Sequence, residues 1–312
     1  SSAPGKELCR NLQPETNLET ITIHQAHTRD ALSRLFKKGG ISFGGNKPVG
    51  RALSSLEIGS CLSASELLVI AGLLENANRI KTYGRKDRDD SPADTLDEFF
   101  NEIEPLTFLS EEIRRCILAE DEFADDASPA LKHIRRSKLL INERIHNQLN
   151  SMVNGSLRTY LQDAVITMRN NRYCIPVKAE YKGQVSGMIH DQSSTGSTLF
   201  VEPMSVVKIN NDLKELELKE QEEIEVILAG LSAEASLYME AIDTDLKVLA
   251  KLDFIFAKAL LAKDMNASEP IFNTHGNIYI KDARHPLLDK KKAVPITVSL
   301  GRDFDLLVVT GP

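Results

Sequence analysis

The sequence contains no tryptophan, and aromatic residues make up only 5% of its 312 residues. That scarcity disfavours a β-sandwich; Leu, Ile, Glu, Lys and Ala dominate instead, and these are helix formers. An excess of positive charge is also missing. Lys and Arg number 38 against 45 Asp and Glu, a net charge of −7, so the chain as a whole is not a general polyanion binder. Any nucleic-acid surface has to be a local patch. The four cysteines, Cys9, Cys61, Cys116 and Cys174, form no C-x-x-C pair and suit neither zinc nor a disulfide framework. Reduced thiols and a cytoplasmic protein are expected. No apolar run approaches the roughly 20 residues of a membrane span, and there is no signal-peptide pattern. No initiator Met is present, and Ser1–Gly5 reads as a chain edge or a loop.

Catalytic constellations are equally absent: no Ser/His/Asp or Cys/His arrangement can be argued, and the expected set of catalytic residues is empty. His24 and His27 stand at i, i+3 but lack further ligands in register, so an exposed or packing role is expected and no metal site is predicted.

What is present is mostly helical pattern. Asn17 to Leu35 carries Ile21, Ala26, Ala31 and Leu35 at helical spacing, and Gly39–Gly45 then breaks it as a connector. Ser63 with Glu66 predicts a capping box opening a helix to about Lys81. The charged stretch 83–92 is a solvated loop, and helices are expected again near 93–103 and 110–118. Ser128-Pro129 is a cap followed by a first-turn proline, predicting a long helix to about Val153. Leu131, Ile134, Ile141, Ile145, Leu149 and Met152 form its apolar stripe. Its other face carries Lys132, Arg135, Arg136, Lys138 and Arg144 against Glu143 alone.

The period then changes. Arg172–Lys178 is short, β-branched and holds Pro176, the signature of an edge strand. Gln184–His190 and Ser197–Val201 are further strands, joined through a polar turn, and a small antiparallel sheet follows. Helix resumes near Pro203 and runs to about Asp264, with a coiled-coil-like seam that Gly230 could interrupt. The acidic run Glu215–Glu225 is expected to be an exposed helix face. From Glu269 the pattern is strand-like: 278–280, 294–300, and a buried-strand run Leu306–Val309 ending in Thr310-Gly311-Pro312.

The stretch Arg169–Glu217, RNNRYCIPVKAEYKGQVSGMIHDQSSTGSTLFVEPMSVVKINNDLKELE, resembles the second branch of the bacterial MutS family, MutS-two. GGISFGG (39–45), ASPALKHIRR (127–136) and DARHPLL (282–288) followed by VPITVSLG and LLVVTGP agree with it, in order, along nearly the whole chain. Asn171 and Cys174 depart from the pattern, where a smaller and an aliphatic residue are expected. The resemblance implies a mainly α fold with a helical core (1–130), a lever helix (131–168), a β clamp (169–204), a returning lever helix (205–264) and the opening strands of an α/β ATPase domain (265–312). It also implies ATP and Mg2+ as cofactors of the full-length parent, bound through G-x-x-x-x-G-K-[ST]. Thr310, Gly311 and Pro312 match only the start of that loop, so no cofactor is expected for this piece.

The same resemblance implies a homodimeric parent that binds branched or duplex DNA and suppresses recombination, with a possible endonuclease tail. A ribosome-splitting ATPase that grips rRNA, and a non-catalytic coiled-coil scaffold, are the alternatives. The strand-rich segment after Glu269 speaks against the scaffold. The clamp stretch 165–211 holds five cations against three acids, whereas 212–225 holds seven acids and two lysines. Arg169, Arg172, Lys178, Lys182, His190, Ser193, Ser194 and Thr195 are therefore the candidate nucleic-acid-binding residues, the hydroxyls and turn amides donating to phosphates. Turn-forming Ser, Thr and Gly in a solvated hairpin are the plainer account of the same residues. Four neutralised phosphates correspond to a log–log salt slope of about −3.6 on duplex DNA.

Overall fold

A computed structural model describes residues 2–44, 49–85, 93–289 and 292–311. Gly45, much of the 83–92 loop and Pro312 lie outside that set. The chain is mainly α, with small antiparallel sheets. It divides into two compact units: residues 1–48, 72–106 and 240–312, and residues 49–71 and 107–239.

In the first unit, α1 (Ala3–Arg10) occupies the stretch expected to be loop. Ser2 caps it, accepting from Gly5 N, and Pro4 stands at its second position, one residue further from the cap than Pro129 is from Ser128. Buried Asp253 accepts from both the backbone N and the hydroxyl of Ser2, at 2.5 and 2.6 Å. Asn17 caps α2 (Leu18–Lys38), and Gly39 ends it at φ 81°, a left-handed conformation that costs glycine little. His27 packs edge-on against Phe99 at 5.3 Å and His24 is exposed, the two roles expected of them. Phe256 of α9 (Met239–Met265) contacts Phe43 and Tyr83. Arg34 is buried and pairs with Asp94 and Asp97 at 2.7 Å.

The second unit holds α3 (Gly50–Glu57), α6 (Thr107–Cys116) and a short hairpin of β1 (Ile117–Ala119) and β2 (Glu122–Phe123) that the sequence pattern did not predict. The helix α4 (Ala64–Gly84) opens in this unit with the expected box: Ser63 N donates to Glu66 at 3.0 Å and Glu66 N to the Ser63 hydroxyl at 3.3 Å. A short α5 (Asp97–Glu102) belongs to the first unit.

The long helix is α7 (Pro129–Val153), bounded as expected. After it come β3 (Thr167–Arg169), β4 (Arg172–Lys178), β5 (Gly187–Gln192) and β6 (Thr198–Pro203), all antiparallel, in the spatial order β3-β4-β6-β5. Then α8 (Met204–Leu237) returns alongside α7. The pair is antiparallel: Ser128 meets Glu223 while Gln148 meets Ser205. Ile145, Leu149, Ile175, Val177, Leu199, Val201, Val206, Ile209 and Leu213 form one buried cluster joining sheet to helices. At 1.5 Å per residue, α8 extends about 50 Å.

The returning helix is not continuous to Asp264. It breaks at Tyr238, where the chain passes from one unit to the other, and not at Gly230. Buried Ile227 and Leu231 flank Gly230 and offset the roughly 1 kcal/mol helix penalty of a glycine. In the last segment β7 (Ile278–Ala283) pairs with β8 (Ile296–Leu300). Leu306–Val309 forms no strand and is exposed. An apolar run of that kind needs neighbours on both faces to become a buried strand, and nothing among the described residues supplies them.

Candidate nucleic-acid interface

The β3–β4 turn places Asn170 and Asn171 at φ 50° and 59°. Two consecutive left-handed residues are what a tight hairpin needs, and asparagine tolerates them; this accounts for Asn171 where a smaller residue was expected. The turn faces β5: Asn170 Nδ2 donates to the His190 carbonyl at 3.0 Å, and Arg169 pairs with Asp191 at 3.1 Å while its guanidinium lies over the Phe200 ring at 4.0 Å.

Beneath the turn lies Glu202, fully buried. Its Oε1 accepts from Arg172 at 3.0 Å and from Asn210 of α8 at 2.7 Å, and its Oε2 lies 2.5 Å from His190 Nε2. A bulge between Ile189 and Asp191 makes His190 the extra residue of β5, and its ring meets Glu202. Asn210 also brackets Tyr173, accepting from its N–H and donating to its carbonyl. A buried charge is tolerated when it is paired and hydrogen-bonded, and Glu202 is both. Burial foremost, with Glu202 nearby, pushes the adjacent Cys174 thiol up to about 11, so it stays protonated and unreactive.

The candidate residues therefore fall into two sets. Arg169, Arg172 and His190 are committed to partners within the β3–β6 sheet. Lys178 and Lys182, at the other end of β4, form no ion pair or side-chain hydrogen bond among the described residues, and Lys182 is exposed. Beside them is the turn Ser193–Ser197. Ser194 and Thr195 are exposed, and Gly196 takes φ 73°. The amides of Ser193 and Gly196 are spent within the turn, on Thr198 O and Ser193 O, and the Ser193 hydroxyl accepts from Thr198 N. The free donors of this turn are thus fewer than the sequence suggested. Thr195 shares its hydroxyl with Ser197 at 2.8 Å.

On α7, Lys132, Arg136 and Arg144 are exposed, but Arg135 and Lys138 both reach Glu220 of α8. The acidic run is therefore not simply an exposed face: Glu220 is held between the helices and Glu223 accepts from Ser128. Its neighbours Glu215 and Glu217 pair with lysines along α8 itself.

Thr310 and Gly311 are exposed and belong to no helix or strand. They supply no cation and no helix N-terminus. No metal-binding group of three or more His, Cys, Asp or Glu occurs among the described residues. No helix among them is long and apolar enough to cross a membrane.

No family model matches the chain. Among curated proteins it is 56% identical over 308 residues, 98% of the chain, to a protein named endonuclease MutS2 from Agathobacter rectalis. It is 51% identical over 99% of its length to the protein of that name from Lachnospira eligens, and 50% identical over 100% of its length to that from Lachnoclostridium phytofermentans. The chain belongs to the MutS2 family. It spans about 40% of the length of these relatives.

Proposed function

We propose that this MutS2 chain is the nucleic-acid-gripping lever and clamp of a larger dimeric ATPase. In that reading α7 and α8 carry the β3–β6 sheet at their far end, and the parent's nucleotide state is relayed along them. The observation that carries it is the unpaired pair Lys178 and Lys182 beside the Ser193–Ser197 turn, at the end of β4 away from Glu202. With exposed Arg158, also without an ion pair among the described residues, three cations lie near this end, Lys178 partly buried and the other two exposed. Three neutralised phosphates correspond to a salt slope of about −2.7 on duplex DNA.

Recombination suppression through DNA binding, with nuclease activity elsewhere in the parent, is the reading adopted. The name of the relatives, endonuclease, supports a nucleic-acid substrate for them. The same outward cations suit ribosomal RNA equally, since a phosphate backbone is common to both, so a ribosome-splitting parent is the second reading. Mobility-shift titration at low salt with Lys178→Glu/Lys182→Glu tests the grip: binding weakens if the patch holds the backbone, and unchanged affinity rejects it. Co-sedimentation of the full-length protein with stalled disomes, beside branched-DNA binding at physiological salt, separates the two partners.

A further inference from the structure

We propose that Tyr160 and Tyr181, with Lys178, Lys182 and Arg158 around them, form a stacking site for an unpaired nucleobase, so that this end of the clamp prefers single-stranded nucleic acid to duplex. The inference rests on the nucleic-acid reading above and names its substrate class.

The chain has six tyrosines. Two of them meet here, with ring centroids 5.3 Å apart and planes tilted by 53°. They come from separate short 3-10 turns, 158–160 and 179–181. Backbone bonds fix both against β4: Gln162 N donates to the Pro176 carbonyl, Leu161 bridges Val177, and Ala179 N donates to the Ser197 carbonyl. The tyrosine pair therefore sits next to the Ser193–Ser197 turn.

Both rings are half-buried on the clamp core, so they are held in place while keeping exposed surface. Neither hydroxyl has a hydrogen-bond partner among the described residues. Tyr173 and Tyr83, by contrast, spend theirs on Asn142 and on the Gly39 carbonyl. Lys178 Nζ lies 5.9 Å from the Tyr181 centroid, Lys182 follows one residue on, and Arg158 opens the Tyr160 turn.

A ring face with cations at its rim and spare hydroxyls at its edge matches an unpaired base: the face stacks, the edge takes a hydrogen bond, and the neighbouring phosphate meets a lysine. A duplex hides its base faces and offers only backbone to such a surface. Glu180 and Asp163 lie in the same stretch and offset part of the positive charge. Charge alone therefore gives a weak grip, and ring stacking supplies the larger share.

The test uses the full chain and fluorescence anisotropy with oligothymidine and oligouridine of about 20 nucleotides, an abasic strand of equal charge, and a blunt duplex of that length. Tyr181→Ala is expected to weaken single-strand binding about tenfold while duplex affinity changes less than about twofold. Tyr181→Phe should keep most of the affinity. On the unsubstituted chain, the abasic strand should bind about tenfold more weakly than the base-bearing one, a comparison that does not depend on any variant folding. Equal loss on strand and duplex, or an abasic strand that binds as tightly, overturns the stacking site and leaves the wider reading intact. Failure of every polynucleotide to bind, or indifference to Lys178→Glu/Lys182→Glu, rejects the wider reading and this one with it.

Discussion

Arg172 Nη1 sits 3.0 Å from Oε1 of Glu202, a carboxylate with no exposed surface. Without Arg172 the buried Glu202 carboxylate keeps only Asn210 and His190, and breaking a buried pair costs up to about 3–5 kcal/mol. Arg172→Ala should therefore lower the stability of the second unit by several kcal/mol, read from urea unfolding. A fall in nucleic-acid affinity with stability unchanged would contradict the internal role and return Arg172 to the binding surface.

The link between α7 and α8 should show in acid. Burial works to raise the Glu220 carboxyl, but hydrogen bonds from Lys138 and Arg135 outweigh it and hold the group below its ordinary value. A depressed folded value means that its stabilisation is present above the unfolded pKa and is lost as pH falls through the folded one. The loss should thus lie below about pH 4.5. Glu220→Gln should be less stable than the parent chain at pH 7 and approach it towards pH 3, followed by circular dichroism.

Asp245 behaves with the opposite sign. It is fully buried, its Oδ1 accepts from Glu104 N at 2.8 Å, and its Oδ2 has no partner among the described residues. Burial pushes its carboxyl up to about 7. Because the folded value lies above the unfolded one, stability is greatest below about pH 4 and declines as pH rises to about 7, by roughly 4 kcal/mol at the limit. Asp245→Asn should flatten thermal stability between pH 5 and 8, and an unaltered slope would assign the dependence elsewhere.

Gly187 opens β5 against its neighbour so closely that an added Cβ would lie 2.3 Å from the Glu202 carbonyl oxygen and 2.7 Å from Val201 Cγ1. Gly187→Ala should force the β5–β6 ladder apart and destabilise the unit by about 1–3 kcal/mol. Hydrogen exchange of the β6 amides is the direct readout, and protection equal to that of the parent chain would refute the clash.

Much of the frame was legible because it is written in local signals. Ser128-Pro129, the Ser63/Glu66 box and the limits of the Arg172–Lys178 strand are set by neighbouring residues and lie where the sequence placed them. The edge position expected from Pro176 does not hold, because β4 lies between β3 and β6, and β3 pairs only its first half, leaving Pro176 beyond that ladder. The strand limits of β5 and β6 shifted by two to three residues at some ends, since turn composition constrains a boundary only loosely. What was not legible depends on the fold. Glu202 and Asn210 look like surface residues by type, and only the sheet's packing on α8 buries them. Arg169, Arg172 and His190 looked like a basic surface for the same reason. Tyr160 and Tyr181, separated by twenty residues, meet only because the Leu161–Val177 bridge folds one turn beside the other. Leu306–Val309 has the composition of a core strand, yet its neighbours, not its own residues, decide whether it becomes one.

Ser128 does two jobs with one hydroxyl. It accepts from Leu131 N to start α7 and donates to Glu223 on α8 at 2.7 Å. Further along, Glu220 is gripped from α7 by Arg135, and Gln148 holds the Ser205 carbonyl at the opposite end. A slip of one residue is about 1.5 Å along a helix axis, enough to strain all of these bonds together. Axial sliding between the two helices is therefore the motion this joint resists most, whereas a shared tilt or roll costs none of them. The pair is keyed like a splined shaft: it can carry torque to the sheet at its end, but it cannot telescope.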